Sequence, residues 1–190
     1  MTAETNIETL LSKDGFVCAC GKEHFAKVRD VVIDFGALQK IPALIEKYGA
    51  KKVFLFSDEN TERAAGETVA EILNASGIPF AKYVFPGERF EPDETSVGSA
   101  VMHFDPSCDM IITVGTGCLN DIGKIVANVS GKPYMIVGTA PSMDGYSSAT
   151  SSMIRDGLKI SLDSKCPEIV VGDLDVLSAS PLRMIQAGIG

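Results

Sequence analysis

The sequence predicts an α/β fold in which helices pack on both faces of a doubly wound parallel sheet. Short apolar runs, bounded by charged or turn-forming residues, alternate along the chain with amphipathic helical patterns. Some of these runs, such as 52–57 and 110–114, are almost entirely apolar, which is typical of parallel strands buried on both faces. The two observations together favour a Rossmann-like architecture.

The individual elements can be assigned in chain order from these patterns. Strands are predicted at 28–34, 52–57, 80–85, 110–114, 134–137 and 168–171. Helices are predicted at 36–48, 61–76, 92–104, 120–129 and 181–187, and residues 58–61 form the turn and N-cap of the second helix. The alternating runs on either side of Asp156-Gly157 predict a β-hairpin over 152–162.

The composition of the 190-residue chain limits its class and its partners. With 45% hydrophobic and 22% charged residues, the chain is globular and can bury an ordinary core. Its formal net charge of −8 disfavours nucleic acid and anionic membranes as partners. No apolar run reaches membrane-spanning length, and residues 1–11 are polar and acidic, unlike a secretory signal. Five cysteines, an odd number, do not suit a disulfide framework, so a cytoplasmic location is expected.

A glycine loop follows the apolar run 110–114 and precedes a predicted helix. The turn from Gly115 to Gly117 would aim the first N–H groups of that helix, and the positive end of its dipole, at one point where a pyrophosphate can bind. Asn120 and Asp121 stand at the predicted helix start. A tight turn without a ligand explains the glycines about as well, and Asp121 would then only favour the helix dipole.

Two carboxylates follow other predicted strands. Asp58 ends the run 52–57, where it either accepts hydrogen bonds from ribose hydroxyls or caps the next helix. Asp144 follows the run 134–137 in a loop of small residues, and either binds a polyol hydroxyl or forms an Asx turn. Lys124, one turn beyond the glycine loop, either reaches a phosphate or lies in solvent. Because these groups follow strands of one parallel sheet, a nucleotide and polyol site is the leading hypothesis.

The segment from Cys18 to His24 has the spacing of half a zinc knuckle. A structural zinc site needs four ligands, and the other histidine, His103, stands alone on a predicted helix. A β-turn with buried thiols is therefore the favoured interpretation of Cys18 and Cys20. No Cys/His or Ser/His pair has a spacing that suggests nucleophilic catalysis.

Four segments of the chain resemble one enzyme family. They are Ser57-Asp-Glu-Asn-Thr61, Val114-Gly-Thr-Gly-Cys-Leu-Asn-Asp-Ile-Gly-Lys124, Thr139-Ala-Pro-Ser-Met-Asp-Gly-Tyr-Ser-Ser148 and the stretch 175–190. They are similar to the sn-glycerol-1-phosphate dehydrogenases, a branch of the metal-dependent group that also holds glycerol dehydrogenase, the iron-containing alcohol dehydrogenases and dehydroquinate synthase. The resemblance runs from about Val28 to the last residue, and the block 139–145 is specific to the glycerol-1-phosphate branch.

The resemblance implies an NAD- or NADP-dependent oxidoreductase with defined site residues. Asp58 would bind the adenosine ribose, and Asp144 would be the catalytic residue that hydrogen-bonds the substrate's hydroxyls. The pyrophosphate would lie on Gly115, Thr116, Gly117, Cys118, Leu119, Asn120 and Asp121, and the nicotinamide half would be lined by Thr139, Ser142 and Ser148. Cys118 stands where the family usually has threonine, a departure that a backbone contact to phosphate tolerates. The carboxylate of Asp58 would repel a 2′-phosphate, which favours NAD over NADP.

The resemblance also implies how the chain is divided. Residues 1–27 would be an N-terminal extension, 28–178 the nucleotide-binding α/β domain and 179–190 the start of a helical domain that is otherwise absent from this chain. In the family, one aspartate and two histidines hold a divalent metal (zinc, nickel or iron). That aspartate directly follows an Ala-Gly-x-Gly sequence like 187–190, so no metal ligand is expected within this chain, and the chain alone is expected to be inactive.

The implied reaction is reversible hydride transfer between the nicotinamide and carbon 2 of a dihydroxyacetone-phosphate-type substrate, in glycerophospholipid synthesis. The metal would polarise the oxygen on carbon 2. The expected partners are a small-molecule substrate and further copies of the chain in a homo-oligomer. Two alternatives stay open, a glycerol or other polyol dehydrogenase and a stand-alone nucleotide-binding module.

Overall fold

A sheet of six parallel strands forms the centre of the computed structural model, which describes residues 16–17, 19–24, 26–87 and 91–189. In chain order the strands are β1 (Phe16–Val17), β2 (Glu23–His24), β3 (Asp30–Asp34), β4 (Val53–Asp58), β5 (Phe80–Phe85), β6 (Met110–Gly115), β7 (Tyr134–Gly138), β8 (Thr150–Arg155), β9 (Leu158–Asp163) and β10 (Ile169–Asp173). The order across the central sheet is β3-β10-β7-β6-β4-β5, while β1 with β2 and β8 with β9 pair as antiparallel hairpins. The predicted α/β class with a parallel sheet is confirmed.

The helices connect the strands and cover the sheet. They are α1 (Ile41–Lys47), which continues a 3₁₀ turn at Ala37–Lys40; α2, built from Glu59–Thr61, a π-helical segment Glu62–Gly66 and Glu67–Ala75; α3 (Glu94–His103); α4 (Cys118–Ser130); α5 (Leu174–Ser178); and α6 (Leu182–Ile189). No helix within the described ranges is long and apolar enough to cross a bilayer.

The apolar run of β4 shows why these strands lack a polar face. Val53 and Leu55 point into one core cluster, and Phe54 and Phe56 point into the other, on the opposite face of the sheet. All four side chains are fully buried. The interpretation of 52–57 as a strand buried on both faces is therefore correct.

The observed element boundaries differ from the predicted ones where backbone hydrogen bonds decide them. β5 has the predicted bounds. β3 begins at Asp30 and not at Val28, because sheet pairing starts where the N–H groups of Arg29 and Asp30 donate to the carbonyl of Glu168. The helix predicted from Pro92 begins at Glu94, because the side chain of Asp93 caps it and accepts from the N–H of Ser96 at 2.8 Å.

The β8–β9 hairpin has the predicted turn. Asp156 and Gly157 have φ of 52° and 77°, the two positive values that an Asp-Gly turn of type I′ requires. The hairpin packs against α4, since the buried hydroxyl of Ser151 donates to the carbonyl of Asp121 at 3.1 Å. The hairpin thus lies beside the start of the helix that follows the glycine loop.

The strand order places a topological switch point between β4 and β6. From β4 the chain moves to β5 on one side, and then returns across β4 to β6 on the other side. Connections that leave in opposite directions open a crevice at the carboxyl ends of the two strands, where ligands of such folds bind. Asp58 ends β4 and Gly115 ends β6, so both border this crevice.

The cysteine-rich segment forms a turn, but not with a buried thiol at Cys20. Cys20 is exposed in the turn between β1 and β2, with its Sγ 3.2 Å from Nε2 of His24, and Cys18 lies outside the described residues. Buried thiols were therefore the wrong interpretation for Cys20. In the described part of the chain, no three His, Cys, Asp or Glu side chains come together in a way that could hold a metal ion.

Candidate functional site

The glycine loop shapes the start of α4 at the switch point. Gly115 pairs with Gly138 of β7, and a Cβ at Gly115 would overlap the side chain of Leu119, so glycine lets the first helical turn fold back closely onto β6. Gly117 has φ of 48° and precedes α4 without a side-chain capping bond. The N–H groups of the first turn therefore lie at the positive end of the helix dipole with no side chain to cap them.

A cleft of about 780 Å³ opens on one side of this loop, and we call it the Asp58 cleft. One wall is the start of α2, the floor is the ends of β6 and β7 with the residues after them, and the other wall is α5, α6 and their connection. The lining residues are Asp58, Asn60, Thr61, Arg63, Ala64, Thr116, Thr139, Ala140, Asp175, Val176, Ala179, Ser180, Pro181, Arg183 and Met184. Its volume is in the range of small-molecule and cofactor sites.

Asp58 both caps α2 and lines the cleft, so the two sequence interpretations are compatible. Its Oδ1 accepts the N–H groups of Asn60 at 2.8 Å and Thr61 at 2.7 Å, and the Thr61 hydroxyl accepts the N–H of Asp58 at 3.0 Å. This is a complete capping box, as the cap interpretation predicted. The other carboxylate oxygen, Oδ2, has no hydrogen-bond partner among the described residues and can accept from a ligand.

A second cavity of about 760 Å³ lies on the other side of the loop, between α4 and the β8–β9 hairpin. We call it the Asp121 cavity; it is lined by Glu91, Pro92, Gly117, Cys118, Asp121, Ser152, Ile154 and Lys159. Burial raises the pKa of the Asp121 carboxyl and of the Cys118 thiol. The thiol of Cys118 therefore stays protonated at neutral pH and is a poor nucleophile.

Lys124 is buried, which contradicts both sequence interpretations. Its side chain is 1% exposed, and Nζ donates to the carbonyl of Gly145 at 2.7 Å, to the hydroxyl of Ser148 at 2.8 Å and to the carbonyl of Thr150 at 3.1 Å. Oδ1 of Asp121 lies 3.7 Å away. Burial lowers the pKa of this ammonium, and the nearby carboxylate opposes that shift. Because all three donors serve protein acceptors, Lys124 fixes the loop after β7 onto α4 and is unavailable to a phosphate.

Two residues predicted at the pyrophosphate have side chains that serve the fold. Leu119 is 1% exposed and packs in the core, so only its backbone faces the loop. Asn120 is fully buried, accepts from the Tyr134 hydroxyl at 3.1 Å and donates to the Gly145 carbonyl at 3.3 Å. The Leu119 N–H already donates to the Thr116 carbonyl at 3.2 Å, so of these two residues only Asn120 has a backbone N–H left for a ligand contact.

The loop after β7 carries the other predicted site residues, which the structure places in different surroundings. Thr139 lines the Asp58 cleft, and the Ser142 hydroxyl lies 3.4 Å from that of Thr116 on its floor. The Ser148 hydroxyl is already occupied by Lys124. Asp144 is exposed outside both cavities, and it precedes a 3₁₀ turn, Gly145–Ser147, without capping it.

The family model described as iron-containing alcohol dehydrogenase matches residues 32–181, most of the chain. The chain belongs to the iron-containing alcohol dehydrogenase family. The resemblance drawn from its motifs, to the group that contains these dehydrogenases, is thereby confirmed. The match begins within β3 and ends just before α6, so it includes the whole lining of the Asp121 cavity and all of the Asp58 cleft except Arg183 and Met184.

Individual proteins similar to this chain are also named as dehydrogenases. The chain is 31% identical over 177 residues to a glycerol-1-phosphate dehydrogenase (NAD(P)+) of Halalkalibacterium halodurans, which covers 91% of this chain and 44% of that protein. It is 32% identical, with the same coverage, to a protein of that name from Bacillus licheniformis. The crystal structure of glycerol dehydrogenase from Schizosaccharomyces pombe has the same fold, with a TM-score of 0.77 at 22% identity over 85% of this chain and 41% of that one. The chain thus spans less than half the length of the relatives it matches.

Sequence reasoning predicted α6 but missed α5, and with α5 part of one wall of the Asp58 cleft in this family member. That wall is lined by residues between 175 and 184, which come from α5, predicted by no pattern, from the connection after it and from the first turn of α6. The available signal was Asp173, which follows an apolar run as Asp58 does, and which caps α5 by accepting the N–H of Asp175 at 3.0 Å. A second carboxylate at a strand end therefore marked a second helix start at the same edge of the sheet.

Proposed function

We propose that this chain is the nucleotide-binding part of an NAD- or NADP-dependent oxidoreductase that interconverts sn-glycerol 1-phosphate and dihydroxyacetone phosphate. The observation that carries this proposal is the start of α4, which has no side-chain cap and opens between two nucleotide-sized cavities. A pyrophosphate at this helix start would join an adenosine half in the Asp58 cleft to a nicotinamide half that extends across the glycine loop. The substrate is supported by the name shared by the two curated relatives.

The chain's residues would hold the cofactor as follows. Oδ2 of Asp58 accepts from the adenosine ribose, and the backbone from Gly115 to Asp121 binds the pyrophosphate. Thr139 and Ser142, beside Thr116 in the Asp58 cleft, contribute hydroxyls next to the pyrophosphate. Ser148 acts indirectly, because its hydroxyl accepts from Lys124 and so helps to fix the loop after β7. When bound, the nicotinamide supplies the hydride acceptor or donor.

Asp144 would orient the substrate. Its carboxylate is exposed and makes no capping bond, so its oxygens are available to hydroxyl donors of a polyol phosphate. The family's name implies a metal ion, but the described residues offer no cluster that fits one. No step of this proposal therefore passes through a metal.

Cofactor binding by this chain tests the proposal. Calorimetric titration with NADH and with NADPH is expected to show saturable binding to the native chain. In Gly115→Ala the new methyl group displaces Leu119 and the first turn of α4, so affinity should fall by about tenfold or more, as expected for loss of charge-assisted hydrogen bonds to a pyrophosphate. Gly98→Ala is the matched control, because its Cβ would meet nothing within 4 Å in helix α3.

Two results would contradict the proposal. The absence of saturation up to millimolar cofactor, on protein shown to be folded, would exclude the cofactor site. With protein expressed from the complete reading frame, turnover of glycerol but not of glycerol 1-phosphate would exclude the proposed substrate.

The double role of Asp58 predicts how a serine substitution behaves. Serine is as good an N-cap as aspartate, so Asp58→Ser should leave the free energy of unfolding within about 0.5 kcal/mol of the native value. Loss of the charged acceptor should lower NADH affinity by about tenfold, whereas NADPH affinity should not fall, because the 2′-phosphate loses a like charge. Urea unfolding and calorimetry measure the two effects, and unchanged affinities for both cofactors would show that Asp58 is only a helix cap.

We also propose a cytoplasmic, homo-oligomeric protein. The described cysteines, Cys20, Cys108, Cys118 and Cys166, are free thiols, as a reducing compartment favours. Ile33 and Phe35, at the end of the edge strand β3, are 59% and 68% exposed, and such adjacent apolar side chains are typical of a surface that a second chain covers.

A further inference from the structure

We propose that Arg63 and Arg183 form a binding site for the 2′-phosphate of NADP at the adenosine end of the Asp58 cleft. The inference rests on the proposed function, which gives this cleft the adenosine half of a dinucleotide. Arg63 comes from α2 and Arg183 from α6, so they approach from opposite walls of the same cleft. Asp58, the predicted partner of the ribose hydroxyls, lines the cleft with them.

The two guanidinium groups have no carboxylate partners within the described part of the chain. Every side-chain ion pair found there is made by a lysine, although acidic residues outnumber basic ones by 25 to 17. Glu62, the acidic neighbour of Arg63 in sequence, is turned away in the π-helical segment of α2, where it accepts from the Ser57 hydroxyl at 2.6 Å and from Lys82. The charge of Arg63 therefore remains available to a ligand.

Arg63 is also held in a defined position. Its Nη2 donates to Oδ1 of Asn60 at 2.7 Å, and the N–H of Asn60 in turn donates to Asp58. This leaves the other N–H groups of the guanidinium without partners among the described residues, in the planar arrangement that binds phosphate oxygens in pairs. An arginine near the ribose-binding carboxylate is the arrangement that accommodates a 2′-phosphate in dinucleotide-binding folds.

The charge balance of the cleft decides which cofactor it accepts. Asp58 and Asp175 alone would make the cleft repel a 2′-phosphate, but Arg63 and Arg183 neutralise them. The net charge of the lining is then zero in a chain whose net charge is −8. The native cleft should consequently accept both a free 2′-hydroxyl, through Asp58, and a 2′-phosphate, through the arginines.

Half-molecules of the cofactor test this inference without the nicotinamide. Calorimetry would compare adenosine 2′,5′-bisphosphate with adenosine 5′-monophosphate on the native chain, Arg63→Ala and Arg183→Ala. Each substitution is expected to lower affinity for the bisphosphate by about tenfold or more, since a charge-assisted hydrogen bond is lost, and to leave the monophosphate within about threefold. Arg155→Ala is the matched control, because Arg155 is an exposed arginine without an ion pair that lies outside the cleft.

The outcomes separate this inference from the proposed function. Equal losses for both nucleotides, or no loss for either, would contradict the 2′-phosphate site. Competition by inorganic phosphate as effective as that of the bisphosphate would also contradict it, because the arginines would then be a general anion site. If the native chain binds neither nucleotide, the proposed function itself fails, whereas binding with an unchanged affinity ratio in the variants overturns this inference alone.

Discussion

Replacing Lys124 by methionine is expected to lower the free energy of unfolding by about 3 kcal/mol. Methionine fills a similar volume but removes the ammonium that donates to the carbonyls of Gly145 and Thr150 and to the hydroxyl of Ser148. The Gly145 carbonyl keeps the Asn120 amide as a donor, and the Ser148 hydroxyl can still donate to Thr150, so the loss of the charged group and of its ion pair dominates. A buried acceptor left unpaired costs about 1–3 kcal/mol, and removal of one partner of a buried ion pair costs about 3–5 kcal/mol. Asp121 is partly exposed, so the lower end of the second range applies.

Urea unfolding of the chain measures this effect, and Lys51→Met is the matched control. Lys51 is an exposed lysine, so its substitution should change the free energy of unfolding by less than about 0.5 kcal/mol. Equal stability of Lys124→Met and the native chain would show that the ammonium gains nothing from its three acceptors.

The difference in free energy of unfolding between the native chain and Lys124→Met should depend on pH with a definite sign. Burial lowers the pKa of Lys124 in the folded chain below its ordinary value of 10.5, so at alkaline pH the unfolded chain binds the proton more tightly than the folded chain does. The free energy of unfolding of the native chain, relative to that of Lys124→Met, should therefore rise with pH between the lowered pKa and 10.5. A difference that falls over this interval would contradict the assigned direction of the shift.

Asp144→Asn is expected to lower turnover of glycerol 1-phosphate by about a hundredfold in protein expressed from the complete reading frame. The amide keeps the shape of the side chain but loses the charged acceptor that would orient a substrate hydroxyl, and misplacement by about 1 Å has an effect of this size. Because Asp144 neither caps a helix nor lies in the core, the substitution should leave stability unchanged. NADH affinity should also stay within about twofold.

Steady-state kinetics and calorimetry separate these two effects. Asp163→Asn is the matched control, since Asp163 is an exposed aspartate at the end of β9, away from both cavities. Normal turnover by Asp144→Asn would remove Asp144 from the mechanism. A fall in NADH affinity as large as the fall in turnover would instead assign it to the cofactor.

The parallel strands could be predicted because each is a local pattern. The bounds of β5 follow from its flanking turns, and the burial of β4 on both faces follows from its unbroken apolar run. α5 could not be found in this way, because its five residues are too few to show a helical period. The part of the Asp58 cleft that α5 lines was missed for the same reason, whereas the helix predicted at 181–187 is observed as α6.

The burial of Lys124 could not be predicted, because the residues that surround it are distant in sequence. Its three acceptors lie 21 to 26 residues away and reach it only when the loop after β7 folds over α4. Asp58 shows the opposite case. Its cap could be predicted from local sequence, since one carboxylate oxygen accepts the N–H groups of residues two and three positions ahead, and the same residue lines the cleft.

The position of β3 at the edge of the sheet has a consequence for biosynthesis. β3 takes its place only beside β10, and even the helical turn after it is tied there, because the N–H of Leu38 donates to Asp173 at 3.0 Å across 135 residues. During translation β3 leaves the ribosome long before β10 is synthesised. β3 therefore stays unpaired while the other strands of the sheet assemble. Over that interval β3 has unpaired backbone groups and Val32, which packs against the core in the folded chain, has no core to pack on. Nascent chains should therefore be most prone to chaperone capture and aggregation then.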